Sequence, residues 1–161
     1  MVKAYSRTQI FLHWAVGLMI LFNLIFSDAM SELWRHIKQT GPTPTTTGAW
    51  AHVIVGVAVL VFVAWRLVLR VTLGVPHAPQ GTKPMLKLAG EAGHIALYAL
   101  MIGLPVTGLM AFYGGFETLG DLHGELLKSL LWGLIALHVV AAFYHHFILK
   151  DGMLNRMRKA G

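Results

Sequence analysis

Four apolar runs, each long enough to cross a bilayer, set the limits on this fold. They are Ile10–Ser27, roughly Ala49–Leu69, roughly Leu88–Tyr113, and a last run from Leu122 or Leu126 to Leu149. Hydrocarbon about 30 Å thick needs some 20 helical residues per crossing, and a helix satisfies its own backbone there. The expectation is an all-α integral membrane four-helix bundle, 1–161 forming a single transmembrane domain. Gly41–Gly48 and Gly74–Lys83, rich in Gly and Pro, read as loops, and Gly114–Asp121 as a short third connection. Gly103, Pro105 and Gly108 predict a kink or a close helix contact in the third run. Lys3 and Arg7 before an apolar run imitate a signal peptide, but that run is too long and no small-x-small site follows, so it reads as a retained span.

Charge then gives an orientation. Lys3, Arg7, Arg66, Arg70, Lys83, Lys87, Lys150, Arg156, Arg158 and Lys159 fall on one side, against Arg35, Lys38 and Lys128 on or near the other. The positive-inside rule places both termini in the cytoplasm. The net charge of +6 is therefore a record of topology, and no nucleic-acid partner is expected.

Within these runs sit several of the chain's nine histidines, and there are no cysteines. Absence of Cys excludes disulfides, thiolate-bound zinc, iron–sulfur clusters and covalent c-type haem attachment. An imidazole in hydrocarbon is costly and normally faces the interior with a task. His13-Trp-Ala-Val-Gly17 and His52-Val-Ile-Val-Gly56 repeat one pattern: a histidine with a glycine one turn away on the same face. That leaves a flat recess where a wide macrocycle can pack while its iron takes the imidazole. One such pattern is explained as well by helix packing; two in separate spans favour haem.

Two bis-imidazole sites need two further ligands, and the fourth run supplies His123, His138, His145 and His146. His123 and His138 are fifteen residues apart, so both can face one interior at different depths. Topology pairs His52 with His123 and His13 with His138, while His145 suits His13 almost as well by depth. His146 points elsewhere. His94 reads as a hydrogen-bonding or substrate-site residue rather than a ligand, and His36 and His77 as solvated loop residues. Propionates call for cations: Arg7, Arg66 and Arg70 on the inner side, Arg35 and Lys38 more weakly on the outer.

The stretches Tyr5–Trp14, Ala51–Gly56 with Trp65–Arg70, Gly93–Tyr98 with Leu104–Gly108, and Leu137–His138 through Tyr144–His146 resemble the bacterial cytochrome b561 family. That family lies within the wider group of di-haem membrane cytochromes b that includes hydrogenase and formate dehydrogenase subunits. The resemblance implies two haems b, with His13, His52, His123 and His138 as axial ligands. It also implies an inner-membrane electron-transfer oxidoreductase of the superoxide:quinone or quinol type, with superoxide or a periplasmic redox protein as donor. Ubiquinone would be the exchangeable acceptor, with His94, His145 and His146 at its proton site. One departure stands out: His123 and His138 are one residue further apart than the family's usual spacing, and the preceding outer loop is shorter. The competing readings are a cytochrome b anchor subunit of a larger dehydrogenase or hydrogenase, and a haem-free histidine-rich metal-binding membrane protein. No nucleophile constellation or phosphate loop is present.

Overall fold

A computed structural model describes residues 4–79 and 81–160; Lys3, used above for orientation, lies outside the described residues. Helix α1 spans Arg7–Ile25, α2 Asp28–Thr40, α3 Thr47–Thr72 and α4 Pro84–Gly114. A last helical rod, α5, runs Glu117–Leu149. Helices α1, α3, α4 and α5, of 19, 26, 31 and 33 residues, are apolar enough to cross a membrane.

Local chemistry sets the ends. Ser6 caps α1 in a capping box with Gln9, each side chain bonding the other's backbone N–H. Thr46 caps α3, and Pro84 opens α4, where its missing N–H costs nothing. Gly115 ends α4 at φ 68°, the left-handed position natural to glycine.

Three expectations change. The segment after the first run is not simply a loop, because Asp28–Thr40 forms amphipathic α2, and His36 is on that helix with Thr40 Oγ1 2.7 Å from its Nδ1. The third connection shrinks to the turn at Gly115 and Phe116, because α5 already begins at Glu117. α4 starts at Pro84, one turn before the expected Leu88.

The core is a layer at mid-bundle: Val16 and Ile20 of α1, Val59 and Val63 of α3, Leu104 of α4 and Leu131 of α5. Above and below it the helices carry their histidines. The terminal end of the bundle, where α1 begins and α5 finishes, is tied by Gln9 Nε2 donating to Gly74 O at 3.0 Å. There Trp14 Nε1 also donates to Met157 O at 2.9 Å. At the far end α2 is fastened to α5 through Trp34 Nε1 and Lys38 Nζ, both donating to Asp121 Oδ1.

Candidate functional site: two imidazole pairs

The bundle brings the histidines together two by two. At the far end His52 of α3 faces His123 of α5, ring centroids 6.1 Å apart; at the terminal end His13 of α1 faces His138 of α5 at the same 6.1 Å. Two metal–nitrogen bonds of about 2 Å and two centroid-to-nitrogen lengths of about 1.2 Å sum to about 6.4 Å. Both pairs therefore have the spacing of imidazoles on opposite sides of one iron. The structure places His138, not His145, opposite His13. His145 Nδ1 lies 2.5 Å from Asp151 Oδ2, and the pair is nearly buried.

The extra residue between His123 and His138 has a visible home. Leu122–Leu127 is a π-helical turn within α5, which takes up one additional residue without turning the rest of the helix away. A second π turn, Tyr144–Leu149, carries His145 and His146, and His146 packs on Phe147 away from both pairs.

A cavity of about 350 Å³ adjoins the far-end pair, in the range of small-ligand sites. Ile20, Met101 and Leu104 line it with Gly56, Gly108 and Gly124. The residues there fit a haem in two respects. His123 Nδ1 lies 2.8 Å from Leu104 O, so Nδ1 carries the proton and Nε2 keeps its lone pair for a metal. His52 Nδ1 is buried with no partner, and Asn23 Oδ1 on the facing helix is a buried acceptor with none, while Asn23 Nδ2 donates to His52 O at 3.1 Å. A Cβ built on Gly17 would meet nothing within 4 Å, so open space lies over that glycine at the other end. Sequence reasoning had marked Gly108 for a close contact. The contact is with His123 itself, whose Cε1 would lie 2.9 Å from a Cβ at that position.

The terminal-end pair sits in a more crowded, more basic setting. Arg66 Nη1 is 3.1 Å from His13 Nδ1, and its guanidinium lies 5.9 Å from the centre of the Tyr98 ring. His94 joins this cluster, its ring 5.5 Å from that of His138 and its Nδ1 2.7 Å from Gly90 O. Burial pushes the Tyr5 phenol above its ordinary value, with Arg70 and then Arg66 pulling the other way, which puts both cations at this end. Arg7 is exposed on the first turn of α1, and His77 is exposed with its carbonyl accepting from Arg156 at 2.6 Å. Two residues escaped sequence reasoning: Asn23, which betrays itself only as an amide in an apolar run, and Asp151, whose partner six residues back needs a chain reversal at left-handed Lys150. Among the described residues no three His, Cys, Asp or Glu converge to hold a bare metal ion.

The profile of the prokaryotic cytochrome b561 family matches residues 4–160. The chain is similar to cytochrome b562 of Cereibacter sphaeroides, 37% identical over 96% of this chain and 95% of that one. It is similar to the probable superoxide oxidase CybB of Yersinia pestis, 28% identical over 98% and 97% of the two chains. It is also similar to cytochrome b561 homolog 2 of Escherichia coli K12, 31% identical over 66% and 68%. The chain thus belongs to the prokaryotic cytochrome b561 family, multi-pass bacterial membrane cytochromes b that bind haem and carry electrons.

Proposed function

We propose that this chain carries electrons across the bacterial inner membrane through two haems b, one between His52 and His123 and one between His13 and His138. The observation that carries this reading is the pair of imidazole couples, one toward each end, at matching separations. When bound, haem supplies a one-electron couple between ferrous and ferric iron. Everything else is the protein's work. With both termini cytoplasmic, the far-end pair lies toward the periplasm and receives electrons from superoxide or a periplasmic redox protein. The terminal-end pair lies toward the cytoplasm and serves ubiquinone. Two superoxide ions yield two dioxygen molecules, and their two electrons with two protons convert ubiquinone to ubiquinol.

The chain's residues divide the task. His123 is held by Leu104 O in the tautomer that offers Nε2. A guanidinium only donates, whereas an imidazole bound through Nε2 carries its proton on Nδ1. With His13 ligating through Nε2, Arg66 would turn from that nitrogen and, with Arg70 beside it, would hold a propionate. His94, and His145 oriented by Asp151, lie near the cytoplasmic face and supply protons to the bound quinone. The probable superoxide oxidase among the relatives supports superoxide as donor.

The test is direct. Purified protein should contain two haems per chain by pyridine haemochrome assay and show a b-type α band when reduced. A short-chain quinol added without oxygen should reduce that haem, and superoxide should do so from the other side. A colourless protein, or haem that exchanges no electrons with quinol or quinone, defeats the proposal.

A further inference from the structure

The far-end cavity contains a charge that the protein does not answer. Lys128 lies five residues along α5 from His123, about 7.5 Å of helical rise, and lines the cavity with His52 and His123. Its ammonium donates to Ser27 Oγ at 2.9 Å, and Ser27 is 7% exposed. An ammonium offers three donors, and this hydroxyl takes one. Among the described residues the ion pairs are Lys38 with Asp121 and His145 with Asp151, so no carboxylate pairs with Lys128. Glu125 lines the same cavity but stands outside ion-pair distance. A half-buried cation on a membrane-spanning helix is costly unless an anion joins it.

We infer that Lys128 is the carboxylate anchor of the prosthetic group at the far end: its ammonium, steadied by the Ser27 hydroxyl, pairs with a haem propionate. This rests on the haem reading above. The sequence offers Arg35 and Lys38 as outer propionate partners, but Lys38 is held by Asp121 at 2.7 Å and Arg35, though it lines the cavity, is exposed on α2. Ferric haem with both propionates ionised bears a net single negative charge, and one interior cation neutralises it. The long apolar stem of lysine lets α5 place that charge from within the span while the ammonium reaches toward the end of α1. A fixed cation there favours the electron-rich ferrous state, so Lys128 also raises the potential of this haem.

The test uses the intact, purified cytochrome with its native haem. Two potentials are read by spectroelectrochemical titration, with the far-end haem identified as the one lost from a His123→Ala variant. Lys128→Met should lower that haem's potential by about 59 mV, a tenfold shift in its oxidised-to-reduced ratio, and leave the terminal-end haem unchanged. Lys128→Arg should retain most of the native potential. With propionate-labelled haem, the infrared carboxylate band that shifts on reduction should move in Lys128→Met and stay in Lys128→Arg. If Lys128→Met assembles without the far-end haem, Lys128→Gln replaces it, and the Arg variant must keep that haem. Both potentials unchanged in a two-haem Lys128→Met protein would overturn the assignment. So would a variant altered only in its rate with superoxide, since Lys128 would then serve an incoming anion. A wild-type protein without haem fails the function proposed above instead, and the two failures cannot be confused.

Discussion

The two ends of the bundle hold the same pair of rings in opposite surroundings. At the far end His52 and His123 border an open cavity, with His52 Nδ1 unpartnered and His123 already fixed by a backbone carbonyl. At the terminal end His13 and His138 are packed against Arg66 and His94, and the nitrogen of His13 that a haem ligand uses as a donor faces a guanidinium. One pair borders open space; the other is packed against a guanidinium and a third imidazole. Helix periodicity turns each imidazole toward the interior, and the neighbours give each pair its own setting. The apolar layer of Val16, Ile20, Val59, Val63, Leu104 and Leu131 between them keeps the two settings separate.

The comparison breaks most severely if the pairs are wrong. His123→Ala should reduce haem content from two per chain to one, and His145→Ala should leave two; the reverse result by haemochrome assay would void the pairing. Next comes Gly108→Val, which drives side-chain atoms into the His123 ring. It should weaken far-end haem binding by roughly 10–100-fold, seen as loss of one α-band component during purification, with the terminal-end haem kept. Arg66→Leu is the mirror test: the terminal-end haem should fall in potential by about tenfold in its redox ratio, about 59 mV, while the far-end haem holds its value.

Two smaller effects probe how each end is fastened. Gln9→Leu removes the side-chain bond from α1 to Gly74 O at the terminal end and should cost about 1 kcal/mol in thermal or denaturant stability. Lys38→Met releases the exposed Asp121 contact at the far end and should change little except the environment of Trp34, read by fluorescence. The hydrogen bond to Asp121 holds the Lys38 ammonium above its ordinary value of 10.5. This contribution is therefore complete below the ordinary value and is lost only as pH rises through the raised one. Trp34 emission in the native protein should stay constant from neutral pH up to that range, and a change near neutral pH would contradict it.

Much of this was legible in the chain before any coordinates. Hydrophobic runs gave the four spans because lipid demands them, and i to i+4 spacing gave the His–Gly faces. The boundaries failed where amphipathic α2 looked like a polar connection, since periodicity over thirteen residues is easily hidden among loop-like residues. The extra residue between His123 and His138 is visible in the sequence but its home is not, because straight-helix arithmetic has no place for a π turn.

By itself, then, the sequence determined a four-span helical membrane protein with imidazoles placed at two depths, since burial of apolar side chains and backbone self-satisfaction leave a chain of this composition no other form. Only the tertiary structure decided that His138 rather than His145 meets His13, and what surrounds each ring. It drew His145 to Asp151, set His123 against Gly108 and Leu104 O, and left Lys128 beside a neutral hydroxyl. Those choices depend on how α1, α3, α4 and α5 are rotated and kinked against one another, and side chains from separate helices share no spacing that a one-dimensional pattern can record.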